Sequence, residues 1–166
     1  MNYSISRYNE NDFEAIIDLI SRFQDYVSSV DSLKELRPFT SRKEAKAYAK
    51  QALKDVSKME GVLCVANYHD QIVGFVLGVI QRHHGRVLHN LSHKKSVDGW
   101  IGLLFVEPKY QSKGIGKALL EEIRSYFKEN KCKTIRLFVM KDNKLAVRFY
   151  QKLGFKIKDV EMVLKV

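Results

Sequence analysis

Two glycines beside lysines, in the stretch from Gln111 to Lys117, have the composition of a phosphate-binding loop. A Walker loop ends in Gly-Lys-Ser/Thr, but here Gln111 occupies the position of its first glycine and Ala118 that of its hydroxyl residue. A dinucleotide-binding fingerprint needs a small third residue, where this chain has Leu119. The stretch therefore fits a third class, in which unpaired N–H groups at a helix N-terminus bind a pyrophosphate.

Within that class, the small and the basic residues have separate tasks. Gly114 and Gly116 lack the Cβ atoms that would hold a phosphate away from the backbone. Lys113 and Lys117 add positive charge beside the same N–H groups. The net charge of +10 also favours polyanionic partners. Because no nucleic-acid-binding motif accompanies it, we interpret this charge as a solvated basic surface and do not expect nucleic acid as a partner.

Hydrophobic periodicity predicts the elements that must position this loop. Capping boxes pair Asn11 with Glu14 and Ser41 with Glu44 at the starts of the first two helices. Two further helices are predicted over 114–129 and from 143 to a stop at Gly154. The predicted strands cover 3–8, 62–66, 72–80, 100–106, 134–140 and 155–166. Between the third and fourth of these, the polar segment 81–97 is predicted to be an exposed loop.

This order of elements indicates a single domain, 1–166, with a mixed sheet and helices on its faces, in the α/β or α+β class. The longest apolar run, 72–80, is far shorter than the roughly 20 residues that span a membrane. No apolar stretch follows a basic head at the N-terminus, so we expect no signal peptide. The two cysteines, Cys64 and Cys132, give no disulfide framework. We therefore predict a cytoplasmic protein with no membrane partner.

Two motifs stand out in the chain. The first is Gln-x-x-Gly-x-Gly at 111–116, preceded by the strand Leu-Leu-Phe-Val-Glu-Pro at 103–108. The second is Asn-Lys-Leu-Ala-Val-Arg-Phe-Tyr-Gln-Lys-Leu-Gly-Phe at 143–155. Both resemble signatures of the GNAT superfamily of N-acetyltransferases. The predicted order of elements agrees with that family along the whole chain. The resemblance implies a mixed, mostly antiparallel central sheet with helices on both faces, and acetyl-CoA as the acetyl donor.

The resemblance also implies which residues bind the cofactor. The backbone of Leu104, Phe105 and Val106 would pair with the pantetheine arm as an added strand does. Asn143 would contact the same arm, although an N-cap role explains this residue equally well. The loop would bind the pyrophosphate, and Lys117 would assist it. The loop residues are Gln111, Ser112, Lys113, Gly114, Ile115 and Gly116.

Tyr150 is the residue that the resemblance assigns to proton transfer. Attack of an amine on a thioester must expel CoA as a thiolate, and a Tyr hydroxyl can donate to that sulfur as it leaves. The alternative is a core aromatic beside Phe149, since a buried tyrosine usually finds some partner. The second motif favours the catalytic role.

A general base is harder to assign. The two positions where relatives carry a glutamate are occupied here by Trp100 and Phe138. We therefore take Glu107 as the candidate base; Asp98 or a histidine of the segment 83–93 could also act through water, and Glu107 could instead be a solvated charge at a strand end. No cysteine or carboxylate accompanies the histidines of that segment in a ligand pattern, so we predict no metal site there. These histidines are His84, His89 and His93.

Together these features predict direct acetyl transfer to a primary amine, such as a protein N-terminus, a lysine or a small amine. Neither cysteine lies in a catalytic motif, which argues against a covalent enzyme intermediate. The alternative is a non-catalytic acyl-CoA sensor with a basic partner-binding surface. Dimers through the last strands are common among similar proteins, and the sequence neither requires nor excludes a homodimer here.

Overall fold

The computed structural model describes residues 2–83, 87–88, 91–92 and 94–164. Its helices are α1 (Phe13–Val30), α2 (Arg42–Lys58), α3 (Ile115–Glu129) and α4 (Lys144–Lys152). Its strands are β1 (Tyr3–Arg7), β2 (Val62–Tyr68), β3 (Gln71–His83), β4 (Val87–Leu88), β5 (Leu91–Ser92), β6 (Ser96–Val106) and β7 (Thr134–Leu137). Short 3₁₀ turns precede α1 and follow β6.

Five strands form one sheet in the order β1-β2-β3-β6-β7. Every neighbouring pair is antiparallel except β6 and β7, which are parallel. Alternating side chains divide the core into two layers. One layer packs against α1 and α2, with Phe75 at its centre, and the other packs against α3, with Phe127 fully buried. This arrangement confirms the predicted mixed, mostly antiparallel sheet with helices on both faces.

Strands β6 and β7 separate after a short stretch of pairing. The parallel ladder joins Asp98–Ile101 to Thr134–Leu137 and then ends, while β6 continues beside β3 as far as Val106. At the same level β6 carries a bulge. Leu77 pairs with Leu103 and Gly78 pairs with Ile101, which leaves Gly102 as the extra residue. A bulge bends a strand and increases its twist, which accounts for the divergence of β6 from β7.

A buried carboxylate joins the two strands where they still pair. Asp98 is 1% exposed and accepts hydrogen bonds from Thr134 Oγ1 at 2.7 Å, Arg136 Nε at 3.1 Å and Ser96 Oγ at 3.1 Å. Burial raises the pKa of Asp98, but the hydrogen bonds from Thr134 and Ser96 and the charge of Arg136 outweigh it and hold that pKa below its ordinary value. Asp98 therefore stabilises the sheet as a carboxylate.

We expect Asp98→Asn to lower the free energy of unfolding at neutral pH by about 3 kcal/mol, because it leaves a half-buried Arg136 without its charged partner. A group whose folded pKa is lowered stabilises above its unfolded pKa and loses that effect as the pH falls through the folded value. The difference between wild type and variant should therefore shrink below pH 3.8. Urea unfolding across this range checks the expectation. Asp70→Asn, in the exposed β2–β3 turn, is the control, and a difference that does not change with pH would contradict it.

The caps agree with the sequence at one helix and differ at the other. Ser41 Oγ accepts from the Glu44 N–H at 3.3 Å, as predicted for α2. The prediction of Asn11 as the first cap was wrong. Asn9 accepts from the N–H of Asn11 at 2.9 Å, and Asp12 accepts from the N–H of Asn9 at 2.9 Å. This capping box starts the 3₁₀ turn that leads into α1, and its cap lies two residues before the predicted one.

Three predicted strand boundaries were also wrong. The segment 81–97 is not a loop throughout, because β3 and β6 pair as far as His83 and Ser96, and β4 and β5 form a two-stranded ladder. Strand β7 ends at Leu137 instead of 140, where β6 diverges and offers no further partner. No strand is present from 155 to 164, the described part of the predicted last strand, although its pattern alternates. The apolar side chains of this segment are largely exposed: Ile157, Val160, Met162, Val163 and Leu164.

Candidate active site

The glycine-rich loop is fastened to the end of β6. The Glu107 N–H donates to the carbonyl of Val73 at 2.9 Å, which keeps β6 in register up to its last residue. A 3₁₀ turn, Pro108–Tyr110, follows. Gln111 then folds back, and its Nε2 donates to the carbonyl of Val106 at 2.8 Å. The Gln111 side chain thus holds the loop in place, and only the backbone of Gln111 is left to contact a ligand.

The loop turns into α3 through left-handed backbone. Ser112 has φ of 59° and Gly114 has φ of 86°, a conformation that glycine adopts without strain. The first bond of the helix runs from the Ala118 N–H to the Gly114 carbonyl at 3.0 Å. The N–H groups of the first turn, up to Lys117, therefore precede the helical ladder and are available to a ligand. Their partial positive charge makes this end of α3 suited to an anion.

Around this helix end, one apolar side chain is buried in the core and two basic side chains are exposed. Ile115 is 1% exposed and packs in the α3 layer of the core, so only its backbone can meet a ligand. Lys113 and Lys117 are exposed, and Lys113 Nζ lies 5.3 Å from the centre of the Tyr110 ring. The loop therefore combines a rigid backbone with cations that can move toward a phosphate.

Gly116 faces the space between α3, α4 and the end of β6. A Cβ added at this position would lie 3.5 Å from Phe149 and 3.8 Å from Val106, which are ordinary contacts. The protein itself therefore does not need glycine here. A ligand passing between α4 and β6 would meet that added Cβ.

Beyond Ile101, the side of β6 that faces β7 has no strand partner within the described part of the chain. Leu104, Phe105 and Val106 lie on this open stretch. Phe105 packs edge-on against Phe23, with ring centroids 6.1 Å apart, while Leu104 and Val106 belong to the α3 layer. Their side chains serve the core, so the stretch offers its backbone edge to a ligand.

Asn143 connects α4 to α1. Its Oδ1 accepts from the Ala146 N–H at 3.1 Å, as an N-cap does, and also from the Tyr26 hydroxyl at 3.0 Å. Asn143 is only 9% exposed, and none of the described protein groups accepts from its Nδ2. The residue therefore caps the helix and still has donor capacity for a ligand. Sequence reasoning missed Tyr26, because nothing local marks a contact across 117 positions.

Tyr150 is held by the C-terminal turn of α4. The Phe155 N–H donates to the Tyr150 carbonyl at 3.1 Å and the Gly154 N–H to the Gln151 carbonyl at 3.0 Å. With Gly154 at φ of 90°, these bonds form a Schellman motif, which confirms the predicted stop. Phe149 and Phe155 pack edge-on to the Tyr150 ring at 5.2 and 5.5 Å.

Burial raises the pKa of Tyr150 to about 12. Its hydroxyl makes no hydrogen bond to any of the residues that the structure describes. The ring is fixed on two sides by phenylalanines, whereas its polar atom lacks a protein partner. A neutral hydroxyl in this setting can donate a hydrogen bond to a ligand atom.

The carboxylate of Glu107 contacts two basic side chains. Its carboxylate is ion-paired with Arg22 of α1, and Lys109 Nζ lies 3.8 Å from its other oxygen. The whole residue is 8% exposed. The carboxylate therefore already has cationic partners on both of its oxygens. Arg22 is a second residue that the sequence did not single out.

The other candidate bases have different surroundings. Trp100 and Phe138 pack edge-on at 4.8 Å, so two aromatic rings meet at the positions where the family resemblance implies a glutamate. Asp98 is committed to joining β6 and β7, and His83 Nε2 lies 3.6 Å from its carboxylate. His84, His89 and His93 lie outside the described residues.

The described ranges contain no group of three or more His, Cys, Asp or Glu side chains that could hold a metal ion. No described helix is both long and apolar enough to cross a membrane.

The profile of the acetyltransferase (GNAT) family matches residues 27–155. This range contains β2 to β7, the glycine-rich loop and α4, and the open β6 edge and helix N-terminus just described lie inside it. The chain therefore belongs to the GNAT family of acetyltransferases.

Curated relatives match part of the chain. The spermine/spermidine N(1)-acetyltransferase of Bacillus subtilis strain 168 is 32% identical over 89 residues, which is 53% of this chain and 55% of that protein. N-alpha-acetyltransferase 60 of Xenopus tropicalis is 27% identical over 151 residues, which is 85% of this chain and 61% of that protein. The chain thus spans a little over half the length of the first curated relatives it matches.

Solved structures match over nearly the whole chain. A transcriptional regulator from Bacillus halodurans C-125 has a TM-score of 0.73 at 22% identity, covering 99% of this chain and all of that one. AAC(6')-Iy, solved with the bisubstrate analog CoA-S-monomethyl-acetylneamine, has a TM-score of 0.71 at 14% identity, covering 100% of this chain and 99% of that one. At these identities the likeness shows the fold.

Proposed function

We propose that the protein is an acetyl-CoA-dependent N-acetyltransferase that transfers the acetyl group directly to a primary amine. The observation that carries this proposal is the open backbone edge of β6, which runs from the bulge at Gly102 to the N-terminus of α3. A ligand with amide groups at one end and phosphates at the other fits this path. Acetyl-CoA has that composition, and acetyltransferases of the GNAT family use it as their acetyl donor.

The cofactor's pyrophosphate would bind the N–H groups at residues 111–116, with Lys117 adding charge. Its pantetheine amides would pair with the backbone of Leu104, Phe105 and Val106 as a short added strand. Asn143 would donate its Nδ2 hydrogens to the same arm. The thioester would then lie near the bulge, where β6 leaves β7.

In the transfer step, the amine nitrogen attacks the thioester carbonyl carbon. A C–N bond forms, the C–S bond breaks, and the sulfur leaves as a thiolate that acquires a proton. The amine loses one proton as the amide forms. Starting from an ammonium ion, one proton passes to solvent in each cycle, so no oxidant, reductant or metal is needed to balance the reaction.

Tyr150 is the proposed donor to the leaving sulfur. Full transfer of its proton to a thiolate, whose ordinary pKa is about 8.5, would be uphill by roughly 5 kcal/mol from a group at about 12. Its contribution is therefore a strong hydrogen bond to the developing charge, in a site with few other donors. Glu107 is the proposed base, acting through water, and its carboxylate also contacts Arg22 and Lys109.

The chemical class of the amine acceptor has less direct support. Relatives that match the chain over 36% to 61% of their own length are named for spermine, spermidine or N-alpha acetylation. We propose a primary aliphatic amine, a class that includes the primary amines of spermine and spermidine. Cytoplasmic location remains a prediction from the sequence, which neither requires nor excludes a homodimer.

The alternative, an acyl-CoA sensor, is favoured by one observation: both usual base positions carry aromatic residues, Trp100 and Phe138. Release of free thiol from acetyl-CoA, followed with and without a panel of amines, separates the two. Amine-dependent release supports the enzyme. Tight acetyl-CoA binding without release for any amine would favour the sensor, and absence of binding would overturn both.

A further inference from the structure

A groove of about 300 Å³ lies on the face of the sheet that carries α1 and α2. One wall is the second half of α2, with Tyr48, Gln51 and Asp55, and the floor is formed by β3 and β6. The floor is mostly apolar, including Leu77 and Val79. The volume is at the lower end of the range for small-molecule sites.

The groove ends at the position proposed for the thioester. Trp100, Gly102 and Leu103 line it, and these residues flank the bulge where β6 and β7 separate. Trp100 also packs against Phe138, which is 87% exposed just beyond the end of β7. A molecule lying in this groove therefore approaches the open edge of β6 from the helix α2 side, opposite to α3.

The formal charge of the groove lining is opposite to that of the whole chain. Of the eleven described residues that line the groove, Asp55 is the one Asp, Glu, Lys or Arg, whereas the chain as a whole carries a formal net charge of +10. Asp55 Oδ1 accepts from Gln51 Nε2 at 2.8 Å. Within the described part of the chain, no Lys, Arg or His nitrogen lies within 4.0 Å of the Asp55 carboxylate. The groove therefore lacks its own counter-ion.

We propose that this groove binds the acceptor and selects an aliphatic diamine. Asp55 pairs with the distal ammonium, which keeps its proton and does not react. The methylene chain lies along the apolar floor between Tyr48 and Trp100, whose rings also favour a nearby cation. The proximal amine, after losing its proton, reaches the thioester carbon at Gly102. This assignment rests on the proposed function and names its acceptor.

The charge pairing makes a selective prediction for Asp55→Asn. With 1,4-diaminobutane as acceptor, KM should rise about tenfold or more while kcat changes little, because the lost ion pair serves binding alone. With n-butylamine, which lacks the distal ammonium, KM should not change. Asp55→Glu keeps the charge and should retain the preference for the diamine. Asp70→Asn, in the exposed β2–β3 turn, controls for the change in net charge.

Trp100 gives a readout that does not need turnover, because it is the one tryptophan of the chain. Titration of 1,4-diaminobutane into the CoA-bound protein should change its fluorescence, with a dissociation constant about tenfold larger for Asp55→Asn.

If amines are acetylated but Asp55→Asn weakens diamine and monoamine equally or not at all, this inference is wrong and the proposed function stands. A diamine that leaves Trp100 fluorescence unchanged also overturns it. If acetyl-CoA does not bind, the proposed function fails first. Diamine binding at Trp100 that depends on Asp55 would then still support the groove.

Discussion

Tyr150→Phe should lower kcat for acetyl transfer by about 100- to 1,000-fold and leave the KM for acetyl-CoA nearly unchanged. The variant removes one oxygen and keeps the ring that packs against Phe149 and Phe155. The hydroxyl has no hydrogen-bond partner among the described residues, so its loss leaves no buried group unpaired. The effect should therefore fall on the step in which negative charge develops on sulfur.

The pH profile provides an independent check on this role. Because burial raises the pKa of Tyr150 to about 12, the hydroxyl stays protonated through pH 10. Activity should lose its Tyr150-dependent part only as the pH approaches 12. A wild-type basic limb near pH 8 or 9 that is absent in Tyr150→Phe would mean that the tyrosine ionises during catalysis as a base, contrary to the proposal.

Two further variants make the comparison specific. Tyr68→Phe changes a tyrosine on β2 that packs against Tyr110 outside the proposed reaction centre, and it should leave kcat unchanged. Glu107→Gln should reduce kcat less than Tyr150→Phe does, because the Glu107 carboxylate is already paired with Arg22 and Lys109. A larger loss in Glu107→Gln, with the fold intact by circular dichroism, would show that the carboxylate is the principal catalytic group.

Gly116→Ala should separate cofactor binding from folding. The position lies in the first turn of α3, where alanine is favoured over glycine by up to about 1 kcal/mol, and the added Cβ meets only ordinary contacts. The free energy of unfolding should therefore stay the same or rise slightly. The dissociation constant for acetyl-CoA should nevertheless increase about tenfold or more, because the methyl group occupies the space beside Phe149 and Val106.

Gly114→Ala is the matched comparison. This residue has φ of 86°, and an added Cβ would lie 3.3 Å from the Tyr3 hydroxyl, so the substitution should lower the free energy of unfolding by about 1–2 kcal/mol and also weaken acetyl-CoA. Urea unfolding and isothermal titration measure the two quantities. Unchanged acetyl-CoA affinity in Gly116→Ala would show that the cofactor does not pass between α4 and the end of β6.

Local chemistry explains which parts of the fold were predictable. The glycine-rich loop and the stop at Gly154 depend on backbone conformations that few other residues adopt, so the residue types identify them. The helices α2, α3 and α4 carry apolar stripes, and Ser41 and Asn143 cap α2 and α4. The predicted strand at 155–166 had an equally clear pattern, but a strand needs a neighbour, and 155–164 has none.

The sequence by itself determined the order of the four helices and of the strands of the main sheet, and it predicts a phosphate-binding character for the loop, because these follow from periodicity, residue type and spacing. Only the tertiary structure decided the divergence of β6 from β7, the pairing of Glu107 with Arg22, the link between Tyr26 and Asn143, and the groove that both Asp55 and Trp100 line. Each of these joins residues far apart in the chain. No local pattern encodes such a contact, since it forms only when distant elements pack on the same sheet.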